Sequence, residues 1–141
     1  MLLVRNNAVL TTPLTVTATA TKIPFDTVVY NTNSGILDFD KDNNAVNLLT
    51  PGCYGADATV VFANSSSSAA VTAVLAAYAD GKAIPGATVT VTIAASSTAE
   101  IVLHWAVSAK AAPSGTAKIE WFISGAAGTI NNAFTRVSKY A

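Results

Sequence analysis

The only histidine of the chain is His104 and the only cysteine is Cys53. A histidine works as a general base when a nucleophile and an orienting carboxylate stand beside it. His104 lies in the alternating run Ile101 to Val107, on the face opposite Leu103 and Trp105. The carboxylate nearest in sequence on its own face, Glu100, is about 13 Å away along an extended chain. No serine stands in a Gly-x-Ser-x-Gly nucleophile elbow. His104 is therefore expected at a surface or an interface, and one histidine cannot supply a His-rich metal site. Cys53 follows Gly52 at a strand start. It has no helix N-terminus or basic neighbour to activate it, and it is expected to be a small buried hydrophobe.

Asp38, Asp40 and Asp42 place carboxylates at alternating positions, a spacing that brings calcium to mind. An EF-hand loop needs Gly at its sixth position and Glu at its twelfth. Counted from Asp38, those positions hold Asn43 and Leu49. The EF-hand reading fails, and the three aspartates stay weak candidates for a looser metal site beside a solvated acidic turn. Trp105 and Trp121 fall on the apolar side of their runs and are assigned to the core rather than to a sugar platform. Ser65, Ser66, Ser67 and Ser68, with the segment from Gly125 to Gly128, are the candidate binding loops, because rigid β scaffolds carry binding on their loop tips. They hold no aromatic and no charge. No catalytic set and no cofactor site emerges, and the chain is read as a non-enzyme.

Only 11% of the 141 residues are charged, against roughly 25% in ordinary soluble domains. No charge lies between Asp57 and Asp80, or between Lys82 and Glu100. Thr, Ser and Asn interrupt both gaps, so neither is a membrane span. The formal net charge is zero, which removes the long-range attraction that nucleic acids and anionic membranes exploit. A lone cysteine forbids an internal disulfide. The start, Met1 to Asn7, lacks the long apolar stretch of a signal peptide. The expectation is a surface shielded by sister copies.

The elements that must position these residues are strands. Period-two alternation runs through Leu14 to Thr21, Thr88 to Ile93, Ile101 to Val107 and Lys118 to Ser124. Tyr54 to Phe62 and Val71 to Ala79 are apolar on both faces. The second of these is assigned to strand over helix because the hairpin dipeptide Asp80-Gly81 follows it. Turns are expected at Asn31 to Gly35, Asp42 to Asn44, Thr50 to Gly52, Asn64 to Ser68, Pro85-Gly86, Pro113 to Gly115 and Gly125 to Gly128. Short strands with regular turns predict an antiparallel sandwich or barrel. Residues 1–12 are expected to be an N-terminal arm or first edge strand, and residues 13–141 one domain.

Ile23-Pro24-Phe25-Asp26-Thr27-Val28-Val29-Tyr30 resembles the opening strand of the tumour-necrosis-factor-like jelly rolls, a superfamily that includes the complement globular heads and phage relatives. Ala45 to Tyr54, with its Pro-Gly turn before an aromatic, resembles that superfamily's most recognisable stretch. Ala76 to Gly86 is similar to its strand–polar-Gly–strand hairpin, and Ala133 to Tyr140 to its last strand. The resemblance covers most of residues 21–141. It implies an all-β jelly roll of about eight to ten strands. It also implies a last strand central to the inner sheet and closure as a homotrimer with inner sheets packed together. The chain is poorer in bulky aromatics than the best-known members. It further implies a structural virion protein of a tailed bacteriophage, either a capsid decoration (cement) protein or the head of a short fibre. Such a protein would be made in the host cytoplasm and displayed on the virion surface. Its partners would be itself and the major capsid protein or another virion protein, with Leu3, Val4, Arg5, Asn6 and Asn7 as the capsid-anchoring arm. The alternative is a receptor- or carbohydrate-binding module at a fibre tip or bacterial surface.

Overall fold

A computed structural model describes residues 4–109 and 117–140. Twelve strands form among them, and no helix does: β1 Val4–Leu10, β2 Leu14–Val16, β3 Thr21–Lys22, β4 Thr27–Asn31, β5 Leu37–Asp40, β6 Ala45–Leu48, β7 Gly52–Asn64, β8 Val71–Ala79, β9 Lys82–Ile93, β10 Thr98–Ala109, β11 Ala117–Ser124 and β12 Gly128–Lys139. They make two sheets. One runs β10-β7-β12-β1-β4, with β2 added on β12; the other runs β5-β6-β11-β8-β9, with β3 added on β11. Every pairing is antiparallel. The expected antiparallel sandwich is what the chain forms, and its last strand stands at the centre of the first sheet, as the resemblance implies.

Alternation decides which side chains enter the core. Tyr54, Ala56, Ala58, Val60 and Phe62 on β7, Ile101, Leu103 and Trp105 on β10, and Ile119, Trp121 and Ile123 on β11 are all buried. A one-residue slip would turn each set outward, so burial of this one face fixes the register. The bulkiest fully buried side chains are Trp121, Tyr54, Phe25 and Phe62. Phe25 meets Trp121 edge-to-face, with centroids 5.4 Å apart and planes at 77°. The assignment of both tryptophans to the core holds.

The alanine-rich run β8 is a strand, paired with β9 from Val71↔Ile93 to Ala79↔Lys82. Asp80 and Gly81 both have positive φ, 51° and 80°. That is the type I′ geometry whose twist matches two antiparallel strands. Pro85-Gly86 differs from the expectation. It lies inside β9, where Gly86 has φ 79° and the register with β8 shifts, so the pair makes a bulge and not a turn. The run Leu14 to Thr21 is two strands, because the chain changes sheets within it. β2 pairs with β12 in one sheet and β3 with β11 in the other, leaving Ala18 and Ala20 exposed between them. The expected turn at Pro113 to Gly115 lies outside the described residues.

The largest correction concerns the N-terminal segment. Val4–Leu10 is an interior strand, paired on one side with β12 and on the other with β4. Ala8 and Leu10 are core residues, and Asn6 is completely buried. Nothing separates residues 4–12 from the domain that follows. Leu3 lies outside the described residues.

Candidate assembly face

Residues of β7, β10, β12 and β1 that alternate with the core turn their side chains onto the open face of the first sheet. Register brings them into rows. His104 stands opposite Asp57, Asp57 opposite Arg136, and Arg136 opposite Asn7. One row along, Val102, Thr59, Phe134 and Val9 line up in the same order. The face is therefore a polar row flanked by an apolar one.

The polar row is an ion cluster. One Asp57 oxygen contacts Nδ1 of His104. The other accepts from Arg136, whose Nε lies 3.1 Å away. Partial burial pushes the Asp57 carboxyl up, but the hydrogen bonds from His104 and Arg136 and the guanidinium charge outweigh it and hold the group below its ordinary value. The Asp57 side chain is 28% exposed and that of His104 71%, so the imidazole projects from the sheet. His104 is exposed, as expected. Its carboxylate partner escaped the sequence reading, because Asp57 lies 47 residues away in sequence and becomes a neighbour only through β7–β10 pairing. The signal present in the sequence was a lone Asp on an otherwise uncharged strand.

Large apolar side chains left exposed among the described residues are Val28, Val29, Tyr30, Val102 and Tyr140. All belong to this first sheet or follow its central strand directly. Tyr140 lays its ring over Gly55, where a Cβ would collide with it. The opposite sheet exposes Thr72, Thr88, Thr90 and Thr92 on its outer side and pairs its aromatics Tyr78 and Phe122 with each other at 4.8 Å. Threonine hydroxyls are well solvated, so that face needs no cover.

The other candidates separate from this face. Val4, Arg5 and Asn7 are half-buried in β1. Nε of Arg5 and Oδ1 of Asn7 are buried with no hydrogen-bond partner. Asp38 and Asp40 lie on β5, and both Asp40 oxygens are taken by Asn43, from its backbone N at 3.1 Å and Nδ2 at 2.7 Å. Among the described residues no group of three or more His, Cys, Asp or Glu is placed to hold a metal. Cys53 is exposed, contrary to expectation, because Tyr54 beside it points into the core and alternation turns Cys53 out.

The loops Ser65 to Ser68 and Gly125 to Gly128 meet at one end of the sandwich, where Ser65 Oγ donates to the Ala127 carbonyl at 3.1 Å. Asn64 Nδ2 donates to carbonyls of Ala69, Ile93 and Ala94. Polar groups there are largely satisfied by one another. Gly128 is needed for packing, since a Cβ would strike the Phe62 ring.

Comparison with solved structures agrees with this architecture. The crystal structure of murine APRIL at pH 5.0 superposes with a TM-score of 0.67 at 14% identity, covering 98% of this chain and 99% of that one. Murine APRIL at pH 8.5 gives 0.63 at 14% identity over the same shares. The structure of Eiger TNF from S. frugiperda gives 0.52 at 9% identity, covering 99% and 92%. At such identities the likeness establishes the fold, a tumour-necrosis-factor-like jelly roll. No family model and no curated protein matches the chain.

Proposed function

We propose that this chain is a non-enzymatic structural subunit that self-assembles as a homotrimer through the open face of the β10-β7-β12-β1-β4 sheet. The observation that carries the reading is that the large hydrophobic side chains exposed among the described residues lie on that sheet and its end. On that face Asp57, His104 and Arg136 stand in one mutually contacting cluster. Desolvating apolar side chains on association is favourable, and charges that contact a partner cost less to cover. The jelly-roll fold supports a threefold arrangement through the resemblance.

The setting that fits best is a tailed-phage virion, with the trimer as a capsid decoration protein or fibre head. Its supports are the charge-poor surface and the phage relatives of the resembled superfamily. The anchor to the particle cannot be a free segment at residues 4–12, since those residues are built into the sheet and its connection to β2. Light scattering tests the trimer: a mass built on about 43 kDa, three times the 14.4 kDa chain, is expected. A monomer at all concentrations would overturn it. Saturable binding of the purified protein to phage heads stripped of decoration tests the setting, and its absence would remove it.

A second reading, a glycan- or receptor-binding module, draws on the meeting of Ser65 to Ser68 with Gly125 to Gly128 at one uncharged end. Binding on a glycan array that is lost in Ser65→Ala would favour it over the virion reading.

A further inference from the structure

The only histidine of the chain stands where assembly through the open face would cover it. Val102, one of the exposed apolar side chains, is two residues before His104 on β10 and shares its face. About 7 Å of extended strand separates them, so a surface that covers Val102 reaches His104 too. Register puts Glu100 of β10, Asp57 of β7, Arg136 of β12 and Arg5 of β1 on the same face. Their two negative and two positive charges cancel while His104 is neutral, and its protonation leaves one net positive charge. Cys53 and Tyr30 face the same way, and Tyr140 lies over Gly55, but thiols and phenols ordinarily ionise above about pH 8. β8 and β9 touch β10 from the second sheet. They carry no charge within Val71–Ala79 or from Ala83 to Ile93, and Lys82 stands at the start of β9. Their titratable Tyr78 is paired with Phe122.

We propose that His104 makes assembly through this face sensitive to acid: the neutral imidazole permits it and the imidazolium opposes it. The proposal rests on the assembly face described above and names its regulation. Imidazole is the side chain whose ordinary titration falls between about pH 5 and 8. One Asp57 oxygen meets His104 and the other accepts from Arg136, so a single carboxylate serves both. Arg136 already balances that carboxylate, and a protonated His104 finds no second acid in its own chain. Glu100, four residues back along the strand, is about 13 Å away. Asp57 itself offers no relief by taking up a proton, because its partners hold its carboxyl below the ordinary range. In the free chain the imidazolium is well hydrated, its side chain being 71% exposed. Assembly would strip that hydration from an uncompensated charge, which is costly, and would do so in every copy of a closed ring. The separated chains therefore bind more protons than the assembly, and acid favours them.

The test is light scattering across a concentration series at about pH 7.5 and about pH 5.5, one unit either side of the ordinary imidazole value. It compares the wild type with His104→Gln, with circular dichroism to show that the fold persists at both values. The quantity read is the ratio, between the two pH values, of the concentration at half assembly. If only chains with neutral His104 assemble, about one chain in eleven is competent at the lower pH, and the ratio for a trimer approaches about thirtyfold. The expected ratio is at least about tenfold for the wild type and under about twofold for His104→Gln, whatever the variant's own affinity. A second measurement needs no variant. Calorimetric dilution of the wild type near about pH 6.5, in buffers of different ionisation enthalpy, should show that dissociation takes up protons. A trimer unchanged or strengthened in acid, dissociation without proton uptake, or a His104→Gln ratio equal to that of the wild type would each overturn the proposal and leave the trimer standing. A wild type that is monomeric at both pH values would instead remove the assembly face itself.

Discussion

Asp57 on β7 stands in register with Arg136 on β12, and the Arg136 guanidinium donates to one oxygen of the Asp57 carboxylate while His104, on the strand at the other side of β7, contacts the other. The carboxylate is the hinge of the whole cluster, since neither His104 nor Arg136 contacts another acid among the described residues.

Replacing Asp57 with Asn should therefore act on association more than on folding. Arg136, 43% exposed in its side chain, would keep most of its hydration in the free chain and lose it, uncompensated, on assembly. The expected change is at least a tenfold weaker self-association, about 1.4 kcal/mol, read by analytical ultracentrifugation. An unchanged association constant would remove the cluster from the interface.

Acid should destabilise the fold through the same carboxylate. Its folded pKa is depressed, so its contribution is fully present above the unfolded value of about 3.9 and is lost as pH falls through the lower folded value. Asp40, held down by hydrogen bonds from Asn43, behaves alike. Asp26 does too, since hydrogen bonds from Thr27 and Thr11 more than reverse the upward push of burial. Thermal melts should show Tm dropping below about pH 4, with a shallower drop in Asp57→Asn. Parallel curves for the two proteins would contradict the assignment.

Trp121→Ala should cost about 3–5 kcal/mol in urea unfolding, the usual loss for a buried aromatic. Trp121 is fully buried and packs on Phe25. Trp121→Phe should cost much less than the alanine variant, because the indole Nε1 has no hydrogen-bond partner to lose.

Gly55→Ala should destabilise by about 1–3 kcal/mol, the cost of overpacking, since the new methyl meets the Tyr140 ring. Adding Tyr140→Ala should recover part of that loss. A double-mutant cycle with no coupling would show that the two do not meet.

Deleting residues 1–12 should abolish cooperative folding. The cut removes β1, whose Ala8 and Leu10 lie in the core, and strips β4 of the strand it pairs with. A truncated chain with a native circular dichroism spectrum and a sharp melt would argue against an interior β1.

Much of the fold is legible in the residue pattern. Ile119, Trp121 and Ile123 alternate against Lys118, Glu120 and Phe122, and alternation is a local property that survives in the strand. Asp80-Gly81 announced its hairpin because only a few residue types accept two successive positive φ angles. The candidate site was legible only in fragments. His104 is legible as an exposed residue, but the carboxylate its own strand offers is Glu100, which extended geometry puts out of reach. Val4 to Asn7 read as an arm because polar Arg5, Asn6 and Asn7 do not look like an interior strand. Cys53 reads as buried from its residue type, whereas its parity beside the buried Tyr54 turns it outward.

Composition, charge and period-two patterning by themselves determined that this chain is all-β, that its core is built from one face of each strand, and that its surface is short of charge. They could do so because each depends on residues one or two positions apart. Tertiary structure alone decided which strands are neighbours. It thereby joined Asp57, His104 and Arg136 and gathered the exposed apolar side chains of the described residues on one sheet. Strand pairing is a contact between segments tens of residues apart, and the local alternation is equally satisfied by many orders of strands.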